Sequence, residues 1–517
     1  MAEHNLKYIT VIMTNRKTSM KKRLLSLFLA SLMLGGTLLS CSESKTGQEG
    51  EPSETTLQTV SAEPITEDKL SEPEKDSLEA REDVPDEVPD QDFGGRIFNI
   101  AGYNRFDRYY LTDELNGDVV NDAVFNRNAE IQDRFNVTMN TEFFDNGAVT
   151  QQVKNSVSAG DDAYQMFSEH IIQMGMGVTN NIMYDMAVLP RINFSKPWWS
   201  DSTVNDLTYK GMTFIAIGEF NLSAVERTYC MFYNKELAVD FNLPDMYELV
   251  NEGDWTLDKE LELSEGVYMD KNGNGERDKG DLFALSTTTK SAANAYLWAF
   301  GKKIADQQPD GTYEISYFDE KLVSLMERLY GMYYETDQVY FEVSHNTMTA
   351  FVPRNALFAD GYFGQATSDL RDVEFDYGII PYPKWDAAQP EYYSSVDGGH
   401  EGLAVPRGIT DPEYVGTIVE VLNAESWKKT VPAYYDVALK YKGARDYESI
   451  AMIDSIMDSR IFDFGYVYGG WGPAFWIQYL LEAQSKDITS FYQKGHKQFE
   501  TYMGNVYNAF EKYDAGN

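Results

Sequence analysis

Arg96-Ile-Phe-Asn-Ile-Ala101 and Val137-Thr-Met-Asn-Thr-Glu-Phe143, with a helical stretch between them, are the residues on which the fold turns. The first run is short and mostly apolar, as a strand buried on both faces requires, and the second alternates apolar with polar residues. Between them Asn121-Asp122 offers an N-cap, and Val124, Ile131 and Phe135 share one helical face. Parallel strands need a crossover of this kind, so the spacing predicts a β-α-β unit. Outward from it, a helix ending near Ala159-Gly160 leads to Ala163-Tyr-Gln-Met-Phe167, a further strand. Met212 to Ile217 and Asp376 to Ile380 read as strands as well. From Asp411 onward the pattern is mainly helical. It closes on Phe499, Tyr502, Val506, Phe510 and Tyr513, which recur every three or four residues. Alternating strands and helices give an α/β class, and 517 residues suggest two or three domains.

The N-terminus sets the compartment. Lys21, Lys22 and Arg23 precede an apolar stretch from Leu24 to Leu34, then Gly35, Gly36 and Leu38-Leu39-Ser40-Cys41. A basic patch, a short apolar run and small residues before a cleavage point make a secretory signal over 1–40, and the run is too short to span a bilayer. The ending on Cys41 resembles the bacterial lipobox, which implies lipidation of the Cys41 thiol and anchoring at the outer face of the cytoplasmic membrane. Met20 directly precedes the basic patch, so residues 1–19 read as an upstream extension or a misassigned start.

Ser42 to Asp92 is dominated by Glu, Ser, Thr, Asp and Pro and has no aromatic residue. Such a segment cannot bury enough apolar surface to offset its ordering entropy, so 41–92 reads as a lipidated Cys followed by a disordered acidic tether. The whole chain carries a net charge of −38, which repels phosphate backbones and disfavours nucleic acid as a partner. With Cys41 acylated, the second of the two cysteines, Cys230, has no disulfide partner.

Enzyme signatures are absent: there is no phosphate-binding Gly-x4-Gly-Lys-Ser/Thr loop, no Gly-x-Gly-x-x-Gly and no Gly-x-Ser-x-Gly elbow. The five histidines are scattered without a zinc spacing. No catalytic residue or catalytic cofactor is therefore assigned. One ion-binding pattern is present. Asp270, Asn272, Asn274, Asp278 and Asp281 take positions 1, 3, 5, 9 and 12 of a calcium loop, Gly275 sits at the sharp turn, and Glu276 offers its backbone carbonyl. Asn at two ligand positions and Asp in place of a bidentate Glu imply weak affinity and a structural Ca2+. The competing reading is an Asp/Asn/Gly surface turn that binds nothing.

Aromatic residues make up 14% of the chain, and several sit beside glycine or carboxylates in loops, as in Asp360-Gly361-Tyr362-Phe363, Tyr468-Gly469-Gly470-Trp471 and Pro473-Ala474-Phe475-Trp476. Aromatic faces stack on the apolar faces of sugar rings, although each such residue alone is more often core.

From about Phe93 to Phe510 the chain resembles the extracellular solute-binding proteins, family 1, of ABC sugar importers. The resemblance is carried in order by Val157-Ser-Ala-Gly-Asp-Asp-Ala-Tyr164, Phe232-Tyr-Asn-Lys-Glu-Leu237, Gly253-Asp-Trp-Thr-Leu257 and Arg354-Asn-Ala-Leu-Phe-Ala-Asp-Gly361. Phe375-Asp-Tyr-Gly-Ile-Ile-Pro-Tyr-Pro-Lys384, Gly402-Leu-Ala-Val-Pro-Arg407, Pro432-Ala-Tyr-Tyr-Asp436 and Gly472-Pro-Ala-Phe-Trp476 complete it. It implies a two-lobed periplasmic-binding-protein-like fold with hinge crossings and a ligand cleft between the lobes. Lobe 1 is expected over 93–222, continued by about 400–435, and lobe 2 over 223–397, continued by about 436–517. The crossings are expected near Leu222–Thr228, Val396–Leu403 and 430–440.

The same resemblance implies that Glu169, Arg227, Trp298, Tyr362, Asp397 and Trp476 face the ligand. It further implies a monomer that captures a sugar or oligosaccharide and delivers it to ABC permease membrane subunits. The alternatives are the same fold holding a peptide or another polar solute, and a surface glycoside hydrolase.

Overall fold

The computed structural model describes residues 80–514. The signal, Cys41 and the acidic segment up to residue 79 lie outside the described residues. The first lobe opens with β1 (Arg96–Tyr103), α1 (Val119–Phe135), β2 (Val137–Phe144), α2 (Ala148–Ala159), β3 (Met166–His170) and α3 (Ile171–Gly177). β1 lies parallel to β2, with Arg96 opposite Val137, and parallel to β3, with Ile100 opposite Met166. It is a central strand, and Phe98, Ile100 and Ala101 are fully buried. The β-α-β unit therefore forms as its pattern requires, but α1 starts a few residues earlier than Asn121. Asp118 is the cap, accepting from the Val120 and Asn121 amides, whereas Asp122 takes the Asn116 amide at 2.9 Å and closes the preceding loop.

The second lobe holds β4 (Tyr229–Asn234), β5 (Phe283–Thr288), α4 (Ser291–Ala299), α5 (Glu320–Tyr334), β6 (Val339–Glu342), β7 (Ala356–Tyr362) and β8 (Tyr377–Ile380). Its sheet runs β8-β4-β7-β5-β6. β4 is antiparallel to both β8 and β7, and β5 is parallel to β7 and β6. β4 and β5 are buried along their whole length, which fits the apolar run Tyr229–Tyr233 of β4, whereas β5 passes from Phe283-Ala-Leu285 to the buried hydroxyl residues Ser286, Thr287 and Thr288. Met212–Ile217, expected as a strand, joins its neighbours only through single bridges, Met212 to Tyr209 and Ala216 to Leu403.

The chain returns to the first lobe through β9 (Glu401–Ala404), which adds antiparallel to β3 and completes the order β9-β3-β1-β2. The outgoing and returning segments run side by side. Thr228 bridges Val396, the Tyr229 amide donates to the Ser395 carbonyl at 3.0 Å, and the Asp397 amide donates to the Arg227 carbonyl at 2.9 Å. A third passage follows α6 (Pro412–Glu425), which continues in wider, π-type turns through Gly443. That continuation packs on α1 of the first lobe, and the next helix, α7 (Tyr447–Asp458), packs on β8 of the second.

After α8 (Trp476–Glu482), the last helix, α9 (Ile488–Asp514), touches both lobes. Near its start Tyr492 stacks on Phe318 at 4.2 Å; near its end Phe510 stacks on Phe214 at 4.5 Å and the Tyr513 hydroxyl accepts from the Asp185 amide. Within the 436–517 stretch expected to continue the second lobe, the apolar stripe of α9 is long enough to reach the first lobe as well.

A correction concerns the tether. Its last described part, 80–92, is laid on the first lobe rather than free of it. Arg134 of α1 gathers Asp86, Asp90 at 2.8 Å and the Val88 carbonyl at 2.6 Å, and Val88 is buried. Lys196 adds Glu87 at 3.1 Å and the Pro85 carbonyl at 3.2 Å, so cations on the domain dock an acidic segment that has little apolar surface of its own. Cys230 is a buried free thiol. Among the described residues no helix is long and apolar enough to cross a membrane.

Candidate ligand cleft

A cavity of about 470 Å³ lies where the two sheets meet the crossings, in the size range of small-molecule sites. The carboxyl ends of three strands supply its walls: His170 at the end of β3, Thr288 at the end of β5 and Tyr362 at the end of β7. This is the crevice at which open α/β sheets bind ligands. The antiparallel crossings add Arg227, Tyr229 and Asp397–Gly399, and the segment before α8 adds Tyr466, Trp471 and Phe475. Gly398 is required there, because a Cβ would stand 2.4 Å from the Tyr466 hydroxyl.

Asp397 is held by the crossings themselves. Its carboxylate accepts from the Tyr229 hydroxyl at 2.8 Å and the Gly399 amide at 3.0 Å. Burial pushes its pKa upward, but the Arg227 charge and these hydrogen bonds outweigh it and keep the carboxyl below its ordinary range. The Arg227 guanidinium lies over the Tyr362 ring, 4.3 Å from its centre. Its Nε is buried without a hydrogen-bond partner, and Glu226 Oε1 is 3.6 Å away. His170 sits between Tyr103 and Trp471, at 6.4 and 6.2 Å. Burial lowers its pKa to about 4, so the cleft presents a neutral imidazole at neutral pH. Trp471 is 47% exposed, unusual for its size, and borders the cavity.

Arg227, Tyr362 and Asp397 therefore meet in one cavity, and Glu169, Trp298 and Trp476 do not line it. Glu169 is fully buried, and its carboxylate accepts from the Gly147 amide and from the amide and hydroxyl of Thr150 at 2.7 and 2.6 Å. It caps the start of α2, where the helix dipole favours a negative charge. Trp298 is 2% exposed; its indole donates to Asp463 at 3.0 Å and its ring backs Tyr466 at 4.5 Å. Trp476 packs against Tyr317 and Phe491 and borders a separate, mostly apolar cavity of about 440 Å³ with Phe499 and Tyr502. Of the residues not singled out, Trp471 and Phe475 stand in glycine- and proline-flanked runs that already looked like sugar-stacking loops. Arg105, Tyr229 and His345 carry no local signal.

The loop from Asp270 to Asp281 is wound on its own oxygens. Asp270 accepts the Gly273 and Gly275 amides at 2.6 and 2.9 Å, Asn272 accepts the Asn274 amide, and Asn274 accepts the Glu276 amide. Both Asn side chains turn their NH2 groups to Asp278. Asp281 is fully buried, with Oδ1 lacking a partner, an orphan oxygen that fits a cation's requirements. Against that fit, no group of three or more His, Cys, Asp or Glu side chains among the described residues is arranged to hold a metal ion.

No protein-family model and no curated protein sequence matches the chain. Among solved structures it is similar to a cyclo/maltodextrin-binding protein complexed with maltotetraose, at 12% identity and a TM-score of 0.51 over 81% of this chain and 98% of that one. It is similar also to UspC of M. tuberculosis, at 13% identity and a TM-score of 0.51 over 80% of this chain and all of the other. The chain has the mixed α/β, two-lobed fold of these periplasmic-binding-protein-like structures, with a cleft lined by polar and aromatic residues at the lobe junction.

Proposed function

We propose that the chain is the ligand-capturing lipoprotein of an ABC importer, holding a sugar or oligosaccharide in the cleft and passing it to the permease. The observation that carries this reading is a single cavity walled by both lobes and both antiparallel crossings, in which Trp471, Phe475, Tyr362 and Tyr229 stand beside Asp397, Arg227 and His170. Rings of this kind cover the apolar faces of a pyranose while the polar groups bond its hydroxyls. The similar cyclo/maltodextrin-binding protein was solved with maltotetraose, which supports the same ligand class here. Closure about the crossings would bring the two walls together, and the ligand shifts the population toward the closed form by touching both. No bond needs to break.

In this reading Cys41 carries the lipid, the acidic segment spaces the domain from the outer face of the membrane, and the protein acts as a monomer. A diacylglyceryl thioether on Cys41, sought by mass spectrometry of membrane-extracted protein, tests the anchor. The 270–281 loop takes calcium as a structural ion through Asp270, Asn272, Asn274, the Glu276 carbonyl, Asp278 and Asp281. Thermal-shift screening of the mature chain against neutral and acidic oligosaccharides tests the central assignment. At least one saccharide should raise the melting temperature saturably, and stabilisation by peptides alone would move the cleft to another ligand class.

A further inference from the structure

The cleft does not share the charge of the chain. With a net charge of −38 overall, its cavity wall nevertheless carries two arginines, Arg105 and Arg227, against one carboxylate, Asp397, with no Glu and no Lys. Asp397 is already engaged by Tyr229 and Gly399. Three guanidinium groups, of Arg105, Arg108 and Arg227, stand 5.7 Å from the ring of Phe106, so they form one cluster. The carboxylates facing the cluster are Asp397 and Glu226; the latter is committed through Oε2 to Arg108 and to the Tyr109 hydroxyl at 2.6 Å, while its Oε1 stands 3.6 Å from Arg227 Nε, an ion pair too long for a hydrogen bond. Arg227 keeps an unpartnered Nε in a site where only 8% of the residue is exposed. Arg105 is exposed at the rim and pairs with no carboxylate among the described residues. Across the cavity His170 Nδ1 is also buried without a partner.

A buried guanidinium with an unmet donor is costly unless something completes it. The distant acidic surface does little to offset the cluster, since at physiological salt charges are screened beyond about 8 Å. We infer that the captured saccharide is anionic, carrying a uronic carboxylate or a sulfate ester that seats against Arg227 and Arg105. Either group is planar or multidentate and matches the guanidinium fork with charge-assisted hydrogen bonds. The neutral hydroxyls and ring faces remain for Asp397, His170 and the aromatics. This inference rests on the saccharide-capture reading and narrows it.

The test is calorimetric titration of the mature chain with trigalacturonate, with carboxyl-reduced trigalacturonate, with sulfated neocarrabiose, with its desulfated, uncharged form, and with citrate. One charged saccharide should bind at least tenfold tighter than its own neutral counterpart, and the pair that shows the difference identifies carboxylate or sulfate. Arg105→Gln should erase most of that ratio and Arg105→Lys should restore part of it; at the rim, neither change threatens the fold. Equal binding of charged and neutral partners overturns the inference while leaving saccharide capture intact. Binding of none of the five overturns the inference and leaves saccharide capture to the wider oligosaccharide screen; binding of citrate alone overturns both.

Discussion

Replacing Trp471 by Ala separates a binding surface from a structural one. The ring is 47% exposed, rests on Phe475 with centroids 4.9 Å apart, and faces His170 across the cavity. A sugar that closes over it covers roughly 100 Å² of aromatic surface, about half of what such a side chain can bury. At ~25 cal/mol per Å² that coverage contributes about 2.5 kcal/mol, or roughly seventyfold in Kd. The free protein should hardly notice the change, because a half-exposed ring leaves no closed cavity; a loss under about 1 kcal/mol is expected. Isothermal titration with the best saccharide measures the first quantity, and urea unfolding without ligand measures the second. A Trp471→Ala variant that binds as tightly as the parent refutes the stacking role. One that loses more than about 3 kcal/mol of stability shows that the ring belongs to the core.

Trp298→Ala should give the opposite pattern, about 3–5 kcal/mol of lost stability, because the ring is buried and its indole donates to Asp463; unfolding in urea is the measurement, and a change near zero contradicts the buried placement. Glu401, buried between Tyr110 and Ser223, has its pKa raised by burial to about 8. The folded chain then holds a proton that the unfolded chain releases, so this contribution to stability is full below about pH 4.5 and declines as pH rises through about 8. Glu401→Gln should flatten the fall in stability between pH 6.5 and 8.5, a window in which the buried His170 and His400, with pKa values lowered to about 4, stay neutral in the fold; unchanged slopes contradict it. Millimolar calcium should raise the melting temperature, and Asp270→Ala should abolish the rise. No response in the parent leaves the 270–281 loop as a surface turn.

How much of this was legible in the sequence depends on how local the signal is. The β1–α1–β2 unit was readable because its apolar periods of 2 and 3.6 are local properties of the chain. The start of α1 was not, since Asp118 and Asp122 both have capping chemistry and only the loop amides of Asn116 and Gly117 decide between them. The strand expected at Met212–Ile217 failed because pairing depends on a neighbour, here Leu403, almost 190 residues away. The placement of Arg227 and Asp397 on the cavity wall is legible because they flank the crossings that the family resemblance implies. Glu169 was misplaced because a helix start some twenty residues upstream claims its carboxylate, a long-range contact that adjacent residues do not reveal. Trp298 and Trp476 looked like Trp471 in composition. What distinguishes Trp471 is its flanking by Gly469, Gly470 and Gly472, with Gly470 at φ +59°, whereas Trp298 lies in a helix buried almost all round.

Capture without turnover is checked by mixing the mature chain with its tightest-binding oligosaccharide at a known ratio, titrating to saturation, then releasing the ligand and weighing it by mass spectrometry. One ligand per chain is expected, bound saturably and recovered at its original mass after prolonged incubation; shorter saccharides in the recovered pool, or binding that never saturates, refute capture without turnover.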